Sequence, residues 1–470
     1  MTDYNLMKDF TFRERDEFTR EPIAEKIIKL LDSEIDVSPM IIDGKWGTGK
    51  TEFCFKLKNL IEANNTNNYK VGYVNAFQAD HTNEPLLTLI SEIVSFYPKK
   101  SYQRKKLIKN AVPYLRLVGG IGLKAGLGFA FGRYAADIPE ELSKGMETIE
   151  EGSKELIDLS LESLIEDQAE AERSLNTLKN VLTDITAKNP VILLIDELDR
   201  CRPDFAVMML ETIKHVFDVE NVQIILITNA EQLKATIKHS YGSETDSHSY
   251  LYKFFKYQIN LPTTSRGAES RTVDNNVTYF RKVVQESKVI PQSFKDNEFI
   301  YKVSRAVKIS HLSLRNVEQV VRCIETLIVF EDEERSKEPI PEQTIMVLLS
   351  FTYIAKEDLF KEIMKGDIKI SDFGSFFEYK NIDLPRDIES LAGNYLGIFI
   401  NLLFKKFLGT NIITINHISS AVQQRMLSEA FDHLHIRNEI ENSNYISNSS
   451  YLYDYIDHTI NNLLLFDIVK

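Results

Sequence analysis

Eight consecutive residues restrict the fold of this chain more than any other stretch. Gly44-Lys45-Trp46-Gly47-Thr48-Gly49-Lys50-Thr51 fits the pattern GxxxxGK[ST]. Glycines let such a loop curl so that successive backbone N–H groups converge on one point, a cradle for an anion. A helix starting where the loop ends adds partial positive charge from its N-terminus. In such a cradle Gly44, Trp46, Gly47, Thr48, Gly49, Lys50 and Thr51 are the candidate phosphate contacts. Lys50 is expected to reach the β- and γ-phosphates, and the Thr51 hydroxyl to bind Mg²⁺. The flanks fit this context. Ser38 to Ile42 is an apolar run that predicts a buried strand, and Glu52 to Ala63 reads as a helix.

A second signal lies far downstream. Val191 to Ile195 is purely aliphatic and runs into Asp196-Glu197. A strand of that kind belongs in the middle of a parallel sheet. Acids at its tip, beside a phosphate cradle, assign Asp196 to Mg²⁺ and Glu197 to orienting or deprotonating an attacking water. A third apolar run, Val222 to Thr228, ends at Asn229. Asn229 is a candidate for hydrogen-bonding the water or the γ-phosphate, with an ordinary turn residue as the alternative. No Asn-Lys-x-Asp sequence for guanine is present, which favours ATP over GTP.

Tyr69 to Ala76 is a further strand, and Pro22 to Leu31, Leu86 to Phe96 and Asp204 to Val219 have helical spacing. Strands alternating with helices predict a parallel α/β sheet. Beyond about Arg266 the strands fade, and Val277 to Glu286, Leu314 to Phe330, Ile345 to Met364 and Arg386 to Leu408 read as helices. Tyr451 to Val469 reads as a docked terminal helix. The expected organisation is therefore an ATPase core over 1–97 and 190–265, an inserted helical arm over 98–189, and a mainly helical C-terminal domain over 266–470.

The arm concentrates much of the chain's charge. The net balance is −13, yet Lys99 to Arg133 holds nine basic and no acidic residues, while Asp137 to Glu172 holds thirteen acidic and two basic. A four-three apolar series, Ile157, Leu161, Leu164, Gln168, Ala171, Leu175, Leu178, Leu182 and Ile185, predicts one long helix with a single apolar seam. Three accounts of the arm stand open: internal pairing of its two halves, docking of a partner subunit, or contact of the basic stretch with anionic lipid or nucleic acid. The best membrane candidate, Leu117 to Ala136, is interrupted by Lys124 and Arg133, so a span is not expected. Three scattered cysteines, Cys54, Cys201 and Cys323, exclude a CxxC metal site and argue against a disulfide scaffold. With no apolar leader at the start, they point to a reducing, cytoplasmic setting.

Together these residues resemble the KAP family of P-loop NTPases. The tryptophan-containing loop Gly44 to Thr51, the strand Tyr73-Val-Asn75-Ala-Phe77, the acidic motif Ile195-Asp-Glu-Leu-Asp-Arg-Cys-Arg-Pro203, Leu210 to Phe217, and Tyr250 to Phe255 followed by Leu261-Pro262 follow one another as in that family. The resemblance implies roles for Asp199 and Arg200, and for Arg315. Arg200 is an arginine finger or a coupler of the acids to the next helix, with an Asp199–Arg200 ion pair as the alternative. Arg315, in His311-Leu-Ser-Leu-Arg-Asn316, resembles the arginine by which helical lids sense the γ-phosphate. The family includes bacterial members found in phage exclusion. The resemblance therefore implies a Mg²⁺-dependent ATPase acting as switch or motor in a multi-protein antiviral assembly, with partner proteins and further copies of itself as binding partners. Two alternatives accompany it: an ATP-gated scaffold with slow hydrolysis, and a DNA-associated ATPase.

Overall fold

A computed structural model describes residues 7–118, 161–266, 272–296, 299–300, 303, 307, 312–331, 340–366, 406 and 449–465. The chain forms two units, Met1–Pro262 and Thr263–Lys470.

The first unit is a sheet with helices on both faces. Its strands are β1 (Met40–Asp43), β2 (Lys70–Asn75), β3 (Val191–Asp196), β4 (Val222–Thr228) and β5 (Tyr257–Asn260). They lie in the order β2-β3-β4-β1-β5 and every pairing is parallel. The helices are α1 (Glu21–Leu31), α2 (Lys50–Ala63), α3 (Ala76–Ala79), α4 (Pro85–Ser95), α5 (Tyr102–Val118), α6 (Leu161–Thr186), α7 (Pro203–Val216), α8 (Ala230–Tyr241) and α9 (Ser247–Tyr252). This is the expected α/β P-loop architecture.

The period of two along each strand sorts the core into two layers. Ile192 and Leu194 of β3 join Met40, Ile42, Ile225 and Ile227 under α1 and α2, with Ala24, Ile27, Phe53 and Leu57. Leu193 and Ile195 face the other way, with Ile41, Ile224 and Leu226, under α4, α7 and α8. A strand covered on both faces has no polar side to present, which is why β3 reads as an unbroken aliphatic run.

The described ends of the insertion pair with each other. Leu107, Ala111 and Leu115 of α5 and Leu178, Val181, Leu182 and Ile185 of α6 lie in one core with α4 and α7. Lys106 bonds Asp184 between the two helices at 2.5 Å. Internal pairing therefore holds for these ends, and the later half of the predicted seam is spent inside this unit. The remainder of Leu117 to Ala136 after Val118, and the acidic stretch before Leu161, lie outside the described residues. Among the described residues no helix is long and apolar enough to cross a membrane.

In the second unit a short antiparallel pair, β6 (Thr264–Arg266) and β7 (Thr272–Asp274), precedes α10 (Asn275–Glu286), α11 (Leu314–Phe330), α12 (Ile340–Ala355), α13 (Glu357–Lys365) and α14 (Ser449–Leu465). Ile345 to Met364, expected as one helix, is two. The backbone leaves the helical region at Lys356 (φ −142°, ψ 67°), and α13 restarts there. Arg386 to Leu408, apart from Lys406, lies outside the described residues.

Candidate active site

Ligands of open parallel sheets bind beyond the carboxyl ends of the strands. Here the register aligns four polar strand ends. Asp43 of β1 faces Thr228 of β4, and Asn75 of β2 faces Asp196 of β3. β4 lies between β1 and β3, so its tip separates the loop strand from the acidic strand.

The loop leaves β1 at Gly44. A Cβ there would stand 2.8 Å from Thr48 Oγ1 and 3.3 Å from the Lys50 side chain, so the close approach requires glycine. Gly47 and Gly49 have φ of 71° and 80°, in the left-handed region that costs other residues. The Lys50 ammonium donates to the carbonyls of Gly44 (2.7 Å) and Lys45 (3.1 Å), and Thr48 Oγ1 also donates to Lys45 O (2.8 Å). Burial lowers the pKa of Lys50, and the carboxylates of Asp199, Asp196 and Asp43 oppose that shift.

Both predicted acids are at the tip of β3. Asp196 is wholly buried. It accepts hydrogen bonds from the Thr51 side chain and from the Glu197 N–H (2.8 Å). Burial raises its pKa to about 7. Thr51 and Asp196, the predicted metal pair, are thus in direct contact. Glu197 turns the chain with φ 64°, an uncommon conformation for a glutamate. Its two carboxylate oxygens are held separately: Oε2 accepts from Asn75 Nδ2 (3.1 Å), and Oε1 pairs with Arg200 (2.7 Å). Asn75 is itself oriented, because its Oδ1 caps α3 by accepting from the Gln78 N–H.

The Asp199–Arg200 ion pair is not formed. Leu198–Arg200 is a turn of 3₁₀ helix, in which residues three apart eclipse, so Arg200 pairs with Glu197. Asp199 instead accepts from the Trp46 indole N–H (2.5 Å) and from Thr228 Oγ1 (2.9 Å). One buried carboxylate therefore ties the phosphate loop to the tip of β4. The next arginine, Arg202, clamps Asp80 through its side chain (3.1 Å) and its backbone N–H (3.1 Å). That contact anchors the start of α7 beside the segment that follows β2.

Asn229 is the N-cap of α8 and accepts from the Gln232 N–H at 3.4 Å. Arg315 is exposed in the first turn of α11, after the Ser313 cap, in the second unit. Sequence reasoning missed three site residues. Asn75 had a signal, its place at a strand tip within Tyr73 to Phe77. Asp43, which accepts from the Ala230 N–H (2.8 Å), had only its position before the loop. Arg20 had none, being a lone cation 28 residues before the loop carbonyl it reaches at Thr48 (2.9 Å).

A family model described as the KAP family P-loop domain matches residues 20–332, well over half of the chain. The chain belongs to the KAP family. Membership carries nucleotide binding and nucleoside triphosphate hydrolysis as the coarse activity of this site. The match begins at Arg20 and runs through the loop, the acidic strand and α11 of the KAP chain. No curated protein matches the chain.

Proposed function

We propose that the chain is a Mg²⁺-dependent ATPase serving as a switch or motor within a multi-protein antiviral assembly. The observation that carries the enzymatic part is the convergence of Lys50, Thr51, Asp196 and Glu197 beyond the carboxyl ends of β1 and β3, on either side of the β4 tip. In this reading the loop N–H groups and Lys50 bind the β- and γ-phosphates. Thr51 and Asp196 hold Mg²⁺, which when bound draws charge from the phosphate oxygens. Among the described residues no cluster of three or more His, Cys, Asp or Glu could hold a metal. Thr51 and Asp196 offer one hydroxyl and one carboxylate, a donor set that suits an ion completed by phosphates and water. A water attacks the γ-phosphorus in line as the bond to the β-phosphate oxygen breaks. Glu197 takes the proton from that water, with Asn229 orienting the water and Arg200 the base. Arg315 serves as the γ-phosphate sensor. The antiviral role and the partner proteins rest on the family's including bacterial members found in phage exclusion, and the cytoplasmic setting on the scattered cysteines.

A second reading is favoured by one observation. Both oxygens of Glu197 are engaged, by Asn75 and Arg200, so only the remaining lone pair of each is left to accept from a water. An ATP-gated scaffold that hydrolyses slowly would hold its base in this way. Phosphate release measured with ATP and GTP, in Mg²⁺ and in EDTA, separates the two. The ATPase reading expects Mg²⁺-dependent turnover of ATP that falls about 10²–10⁴-fold in Glu197→Gln, while ATP still binds. Turnover equal in wild type and variant would leave the scaffold reading.

A further inference from the structure

Arg20 is an unusual cation. Its side chain is 4% exposed, yet among the described residues it makes no ion pair. Nη1 donates to the Thr48 carbonyl of the phosphate loop (2.9 Å), and Nη2 donates to the carbonyl of Pro262 (3.2 Å). Nε has no hydrogen-bond partner. The guanidinium lies over the Phe18 ring, 4.9 Å from its centroid. Burial lowers its pKa to about 10, although the Glu52 and Asp16 carboxylates oppose that shift. A buried charge whose hydrogen bonds go only to carbonyls is costly, and such groups persist where the arrangement has a use.

The two acceptors suggest the use. A trans peptide points its C=O and the following N–H in opposite directions. Pulling the Thr48 carbonyl outward therefore turns the Gly49 N–H inward, into the cradle. Pro262 is the last residue of the first unit, and the chain enters the second unit at Thr263. The residue before it, Leu261, donates its N–H to Asp43 O (2.8 Å), at the base of the same loop. Arg20 is itself well anchored: the Asp16 carboxylate accepts from the N–H groups of Arg20 (2.8 Å) and Glu21 (2.9 Å) at the start of α1.

We infer that Arg20 is a positioning residue which sets the phosphate loop with one arm and ties its occupancy to the exit of the chain at Pro262 with the other. This rests on the reading that the loop binds nucleotide. The nucleotide closes the loop around its phosphates, the Thr48–Gly49 peptide becomes fixed, and the bridge through Arg20 stiffens the segment Leu261-Pro262. Lysine keeps the charge but presents one point donor in place of a fork, so it cannot span both carbonyls.

The test uses the full chain, Mg²⁺ and a non-hydrolysable imido analogue of ATP. Trp46 is the only tryptophan and sits in the loop, so its emission reports binding. In Arg20→Lys and Arg20→Met the analogue should bind about tenfold or more weakly. The KM for ATP should rise accordingly, with kcat changed much less. In wild type the analogue should slow hydrogen exchange in the segment from β5 to Leu261, and at saturation this slowing should be lost in Arg20→Lys. Unchanged affinity in both variants would overturn the inference, as would slowing retained in Arg20→Lys. Where a variant fails to fold, the wild-type exchange decides: no slowing at Leu261 on saturation overturns the link. Absence of any binding to wild type would instead overturn the functional reading on which the inference rests.

Discussion

Replacing Asp196 by asparagine should stabilise the protein and disable it together. The carboxyl is wholly buried, and burial raises its pKa from the ordinary 3.8 to about 7, against hydrogen bonds from Thr51 and the Glu197 N–H. Between those two values the unfolded chain has lost this proton while the folded chain retains it. Unfolding then releases a proton, so stability falls as pH rises through the window and levels off above about 7. From pH 5 to pH 8 the group removes about two units' worth of stability, about 3 kcal/mol. Asparagine has no such proton to lose, and its amide oxygen can still accept from Thr51 or Glu197. The advantage of Asp196→Asn over wild type should therefore be about 3 kcal/mol larger at pH 8 than at pH 5, or roughly 5 °C in the melting temperature of the first unit. Calorimetry at the two pH values, in EDTA and without nucleotide, reads this directly. Adding Mg²⁺ and ATP should raise the wild-type melting temperature and leave the variant where it was. A melting difference that is the same at both pH values would refute the reasoning, because the buried carboxyl would then not titrate in this window.

Two more perturbations probe the supports of the site. Asn75→Ala removes the donor to Glu197 Oε2 without touching the phosphate loop, so steady-state kinetics should show kcat lowered about tenfold with KM little changed. A raised KM at constant kcat would place Asn75 in binding instead. Leu182→Ala opens a cavity where α6 joins the core of the first unit, and should cost about 2–5 kcal/mol by denaturant unfolding. A cost near zero would mean that the arm does not share that core.

The parts of this site that the sequence makes legible are those whose chemistry depends on residue type at fixed local spacing. Gly44 to Thr51 and Val191 to Glu197 are of this kind, and with their flanks they are enough to indicate the parallel α/β sheet. Contacts set by the order of strands are not legible in this way. Chain order places β4 last of the four strands that end at the site, whereas the sheet places it between β1 and β3, where Thr228 meets Asp199. The pairing of Arg200 follows from a single 3₁₀ turn, and one turn leaves no periodic pattern to read. β5 is four residues long and none of them is fully buried, so it lacks the aliphatic run that marks β3 and β4. Arg20 illustrates the remaining difficulty: a cation that acts through two backbone carbonyls has partners that no side-chain motif records.

The central claim is that the loop from Gly44 to Thr51 binds ATP through Lys50. Titrating ATP with Mg²⁺ into wild type and Lys50→Ala, with binding heat and Trp46 emission followed together, tests it most directly. The account predicts saturable binding with a Trp46 response in wild type and neither signal in the variant. Undiminished ATP affinity in Lys50→Ala would contradict it.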